Sequence, residues 1–265
     1  MKYQTILKKM MTELNDVVQY YLEVENDVLN MNQLLNRDIK ISFEGYQCMC
    51  CAKEKKIYRQ GFCYDCFYES AAVGDWIMKP ELSKAHLGIQ DRDLAYEKQV
   101  QLKPHIVYLA LSSNVKVGVT RKTQIPTRWI DQGATKAIEI VEVPNRYLAG
   151  ITEVALKEYV ADKTSWQKML KNEVLEADLI EEREKLKSYI PEEVQEYFLA
   201  NNSKVIGINF PVLQYPTKIK SLNLEKNQIF SGKLTGIKGQ YLIFEDGTVF
   251  NVRNSEGFKV VITVH

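Results

Sequence analysis

Long apolar runs are missing from this sequence. No stretch reaches the ~18 residues needed to cross a bilayer, and the opening "MKYQTILKKMMTEL" has no apolar core ahead of a small-residue cleavage site. These absences predict a cytoplasmic protein with no membrane partner. Excess charge is missing too. The 35 basic and 34 acidic residues leave a net charge of +1, which excludes a globally basic coat protein and an acidic tail, so any electrostatic attraction must be local. Cysteine is absent from residues 1–47 and 67–265, all five lying between Cys48 and Cys66. That excludes disulfides spread through a secreted fold, and the clustering points to metal. Internal repeats and low-complexity linkers are lacking as well, so the parts should pack on one another.

What is present is an ordinary globular composition, 45% hydrophobic and 26% charged over 265 residues. The pattern predicts an α+β chain in five stretches. Residues 1–43 alternate and are rich in Tyr, Val, Ile and Leu, which predicts an antiparallel β module of three or four strands. Residues 44–100 hold the cysteines and a connector of short helices. Residues 101–170 alternate β-β-α-β-α through "HIVYLAL", "VKVGVT", "IPTRWIDQGA", "AIEIVEVP" and "RYLAGITEVALKEYVAD". Residues 171–220 continue a helical spacing that begins in "WQKMLKNEVLEADLIEEREKLKSYI", and "PEEVQEYFLANN" follows with Pro191 at a tolerated first-turn position. Residues 221–265 predict three or four strands of a small barrel or sheet, with a tight turn at Asp246-Gly247.

"CMCCAKEKKIYRQGFCYDC" contains C-x2-C twice: Cys48 with Cys51, and Cys63 with Cys66. Four thiolates at this spacing suit a tetrahedral zinc ion at about 2.3 Å, with the intervening residues as a hairpin. A complete thiolate set leaves no position for water, so the metal is expected to staple a segment too short for its own core. Cys50 is left over, and His86 is expected to lie outside the ligand set. Lys53, Lys55, Lys56 and Arg59 line the hairpin, as contacts for nucleic acid or as plain solubilising charge.

The stretch from Lys103 to Arg128 carries Lys103, Lys116, Arg121, Lys122 and Arg128 without one acid. That is a local field for phosphate. Tyr108 on a first strand, Lys116-Val117-Gly118 on a second, Arg128 in a helix and Glu153 in a later helix resemble, in order and spacing, the GIY-YIG nuclease superfamily. Ile106 stands where the first signature has glycine, Lys116 where the second has tyrosine, and Gln132 where many members have histidine or tyrosine; lysine in the second signature occurs in some branches. The resemblance implies a three-stranded sheet flanked by helices and phosphodiester hydrolysis with one divalent metal. Tyr108 would orient or deprotonate water, Lys116 steer a phosphate or the water, Arg128 clamp the phosphate, and Glu153 hold Mg²⁺ or Mn²⁺. The partner would be DNA or structured RNA. The phrases "QGFCYDCF", "KVGVTRKTQIPTRWIDQGA" and "DKTSWQKML" also resemble a bacterial domain family of unknown function. Three readings stand at this point: a metal-dependent endonuclease, a noncatalytic zinc-ribbon binder of nucleic acid, and an interaction scaffold. Oligomeric state is open.

Overall fold

The computed structural model describes residues 1–25, 27–160 and 165–265. The chain divides into two compact units. The first comprises residues 1–69, 130–133 and 208–265, and the second residues 70–129 and 134–207.

The first unit opens with β1 (Lys2–Ile6), β2 (Met11–Glu13), β3 (Gln19–Val24), β4 (Asp27–Asn30) and β5 (Asp38–Tyr46). Strands β2, β3 and β4 form the small antiparallel sheet expected near the N-terminus. Alternation in "VQYYLEV" puts Val18, Tyr20 and Leu22 inside, as a period of two requires. The cysteine segment follows, ending in the short helix α1 (Tyr64–Glu69).

The second unit starts with brief 3-10 turns, including one at Pro80–Leu82, and then α2 (Leu94–Gln101), whose first turn is capped by Asp93. Next come β6 (His105–Leu111), β7 (Val115–Arg121), α3 (Thr127–Asp131, whose last two residues are counted with the first unit), β8 (Lys136–Val143) and α4 (Arg146–Lys157), the predicted β-β-α-β-α order. Strand β6 is buried at every position and lies between β7 and β8, so a continuous apolar run marks the central strand. The apolar face of α4, with Ala149 and Leu156, closes one side over Val107, Leu109, Val117 and Ile138. Gly150 is required there, since a Cβ would stand 2.2 Å from the Glu81 backbone nitrogen.

Two helical expectations are corrected. The stretch from Trp166 is not one continuous helix. It breaks into α5 (Trp166–Leu170) and α6 (Leu179–Leu186), because Asn172 adopts φ +59° and Asp178 starts a new N-cap, accepting from the Ile180 and Glu181 amides at 2.8 and 3.2 Å. The segment after Pro191 is a 3-10 stretch, Glu192–Tyr197. Residues 161 and 162, expected to end α4, lie outside the described residues, as do residues 162–164 of the phrase "DKTSWQKML". The unit ends with β9 (Ile206–Gly207), a fourth strand beside β8 that alternation did not reveal in two residues.

The first unit then resumes with β10 (Lys220–Ser221), β11 (Ile229–Lys238), β12 (Tyr241–Phe244), β13 (Thr248–Asn251) and β14 (Phe258–Val264). Gly247, at φ +80°, makes the turn between β12 and β13 that Asp246-Gly247 predicted. The two ends of the chain, read as separate modules in the sequence, share one seven-stranded sheet in the order β1-β14-β5-β11-β12-β13-β10. A bulge between Leu234 and Gly236 lets β11 pair with β5 through its first half and with β12 through its second.

Candidate functional site

The cysteine segment is shaped by backbone before any metal is considered. Ala52, Gln60 and Gly61 hold φ of +55°, +52° and +78°, which turns the chain tightly at both knuckles. The Cys48 amide donates to the Lys53 carbonyl at 2.9 Å, and the Met49 amide donates to the Gly61 carbonyl at 2.9 Å, tying one knuckle to the other. The Cys63 amide donates to Cys48 Sγ at 3.2 Å. Burial pushes the Cys48 thiol up, but amides of Cys51, Cys63 and Cys50 outweigh it and hold the pKa down to about 6. Burial and its sulfur neighbours push Cys66 up, as expected where several thiols share one small space.

The sulfurs of Cys48, Cys51, Cys63 and Cys66 all lie within 4.8 Å of one another, Cys51 and Cys63 at 4.0 Å. Tetrahedral bonds of about 2.3 Å place ligand sulfurs about 3.8 Å apart, so the four can hold a metal ion such as zinc after small adjustments. Cys50 is exposed and outside the group. His86 stacks on Tyr147 of α4 at 4.6 Å and is not in it either.

The predicted catalytic and nucleic-acid-contacting residues of the second unit divide into those that gather and those that do not. Tyr108 is completely buried, opposite Gly118 in the β6–β7 ladder and edge-on to Trp129 at 6.0 Å. Lys116 is partly buried; loss of water, reinforced by the Arg128 guanidinium, lowers its pKa to about 8. Burial likewise lowers Arg146 to about 10, with Arg128 and Arg121 pressing the same way and Glu153 and Glu81 opposing. Glu153 has a side chain 13% exposed and sits 3.5 Å from Lys157 one turn on. Burial raises its pKa against the pull of Lys157 and Arg146. Lys116, Arg128, Arg146, Arg121 and Glu153 thus share one electrostatic neighbourhood. Among the described residues, Lys116, Arg121, Arg128 and Arg146 make no ion pair.

Lys103 is exposed in the turn before β6, its carbonyl 2.7 Å from His105 Nδ1. Lys122 is neutralised by Glu142 of β8, its ammonium 2.7 and 2.9 Å from the two carboxylate oxygens, a pairing that the acid-free local sequence conceals. On the cysteine hairpin, Lys55 pairs with Asp65 at 2.6 Å, Lys56 is 3.8 Å from Glu225, and the Arg59 guanidinium lies over the Tyr58 ring at 5.3 Å.

Arg146 was missed by sequence reasoning. Its guanidinium donates to the Trp76 and Ile77 carbonyls at 3.0 and 2.8 Å and lies over the Trp76 ring at 5.5 Å. One signal existed: a cation directly after the Asn145 N-cap opposes the helix dipole, and a residue so placed needs another reason to be there.

The protein is thus of mixed α+β architecture, with a cysteine hairpin able to hold a metal ion and, along β6, β7, α3, β8 and α4, a group of cations that make no ion pair among the described residues. The chain belongs to the family described as DUF2797, protein of unknown function, whose model matches residues 36–260. No curated protein and no solved structure gives a match. No helix among the described residues is long and apolar enough to cross a membrane.

Proposed function

We propose that this protein binds the phosphate backbone of DNA or structured RNA through the second unit and hydrolyses phosphodiesters there, as a divalent-metal-dependent endonuclease of the GIY-YIG kind. One observation carries the reading: Lys116, Arg128 and Arg146 are partly buried, Arg128 acts electrostatically on both of the others, and the three make no ion pair among the described residues. Partly buried cations without an ion-pair partner are costly unless an anion completes them, and phosphate oxygens do so with charge-assisted bonds. Arg146 is fixed by two carbonyls and has N–H groups remaining for a ligand. Glu153 is the one carboxylate of the predicted set, and a single carboxylate with waters suits Mg²⁺ or Mn²⁺, which would offset charge on the leaving oxygen. In the cysteine hairpin the ion is assigned as structural zinc, since four thiolates close its coordination.

A second reading, a noncatalytic binder, draws support from the complete burial of Tyr108 and from Lys157 beside Glu153. One experiment separates the two. The parent protein is incubated with supercoiled plasmid and structured RNA in Mg²⁺ or Mn²⁺, with Glu153→Gln as the control for contaminating nuclease. Cleavage in the parent that disappears in the variant, with binding in EDTA retained, supports the endonuclease. Binding without cleavage leaves the second reading, and absence of binding removes both.

A further inference from the structure

The cysteine hairpin carries aromatics that neither a metal staple nor a core requires. Tyr58, Tyr64 and Tyr68 are 41%, 61% and 51% exposed. They stand within one cluster, with ring centroids 5.2 Å apart for Tyr58 and Tyr64, 4.8 Å for Tyr64 and Tyr68, and 5.9 Å for Tyr58 and Tyr68. Phe67 backs them, 5.3 Å from Tyr58 and 5.5 Å from Tyr68.

The cluster is preorganised. Tyr58 sits on the hairpin held by the Arg59–Phe62 bridge, and Tyr64 and Tyr68 sit on α1, which begins directly after Cys63 and contains Cys66. Metal binding would therefore fix all three rings. Exposed rings held rigid lose little conformational freedom on contact and offer π-faces to a planar ligand.

The charge around the rings selects the ligand. Glu54 and Asp65 are taken up by Lys259 and Lys55. The Arg59 guanidinium lies over the Tyr58 ring at 5.3 Å and Lys53 acts electrostatically on Asp65 of α1, and neither makes an ion pair among the described residues, while Glu69 lies at the end of α1. Aromatic faces beside unpaired cations are the combination that binds bases and phosphates together. Duplex bases are already stacked on one another and present no faces, so the fitting ligand is unpaired.

We propose that Tyr58, Tyr64 and Tyr68, with Lys53 and Arg59, form a stacking platform for the bases of single-stranded nucleic acid. This takes the nucleic-acid partner from the reading above and assigns it a second, separately testable contact. With two unpaired cations the salt dependence should be shallow, about 0.7 in log–log slope for each phosphate engaged.

The test uses the full metal-loaded chain and a labelled oligothymidylate, followed by fluorescence anisotropy, with zinc content as the check on folding. Replacing both Tyr64 and Tyr68 by Leu should weaken binding about tenfold or more with zinc retained. Replacing both by Phe should preserve affinity, because stacking needs the ring and not the hydroxyl. Equal binding by the Leu pair and the parent would overturn the proposal, as would an equal loss in the Phe pair. Arg128→Ala separates this platform from the phosphate site: loss there alone supports that site and overturns the platform, while loss in the Leu pair alone supports the platform and counts against that site.

Discussion

The hydroxyl of Tyr108 lies 2.7 Å from the point where a Cβ on Gly118 would begin. The two residues are direct cross-strand partners on β6 and β7, so the ring of one fills the space that the other leaves by having no side chain. Gly118→Ala should therefore destabilise the second unit by about 1–3 kcal/mol through overpacking. Urea denaturation compared with Gly207→Ala, a site with nothing within 4 Å, checks it. Equal effects would mean that Tyr108 yields readily.

Metal removal should act locally. Purified protein should carry about one zinc per chain, and chelation or Cys51→Ser should release the amides of Met49, Ala52 and Phe62 to hydrogen exchange, because their bonds close the knuckles. Amides in the β5–β14 ladder should keep their protection. Zinc-free protein with unchanged knuckle amides would reduce these cysteines to buried thiols.

Arg128 and Lys122 should differ sharply. Arg128→Ala should weaken nucleic-acid binding about tenfold or more, since it removes a partly buried cation without a salt bridge. Lys122→Ala should change it less than about threefold, since Glu142 already takes that charge. Equal losses would show that the pairing opens on binding.

Lys116 gives a pH dependence with a definite sign. Its pKa falls from 10.5 to about 8 on folding, so between those values the unfolded chain binds more protons and stability rises with pH. The desolvation cost is fully present below about pH 8 and amounts to at most about 3 kcal/mol. Lys116→Met should raise stability at pH 7 and flatten the rise measured by denaturation between pH 8 and 10. Phosphate binding should run the other way, fading in the parent as pH passes about 8. A flat stability profile in the parent would show that water reaches the ammonium.

Local signals in the sequence carried most of the second unit and the cysteine segment of the first. The apolar run Ile106–Leu111 of β6 and the apolar-rich stretch of β8 gave their strands, the cysteine spacing gave the four gathered sulfurs, and the order Tyr108, Lys116, Arg128, Glu153 fell on the expected elements. What stayed hidden depends on residues far apart in sequence. Glu142 neutralises Lys122 across the sheet, Trp76 and Ile77 fix Arg146 from 70 and 69 residues away, and β1 pairs with β14 from opposite ends of the chain. Asn172 broke a helical spacing that hydrophobic periodicity alone would have continued, because a left-handed residue leaves little trace in the pattern around it.

The pairing of β1 and β5 with β14 also dictates an order of events during synthesis. Residues 70–207 are synthesised ahead of β10–β14, so nearly all of the second unit can assemble while β1 and β5 still wait for a partner. For that interval two strand edges stand open, and a nascent chain halted before β11 emerges would leave apolar Ile39 and Ile41 of β5 open to any other unpaired strand. The last seven-residue strand, Phe258–Val264, closes both exposures at once by entering between β1 and β5.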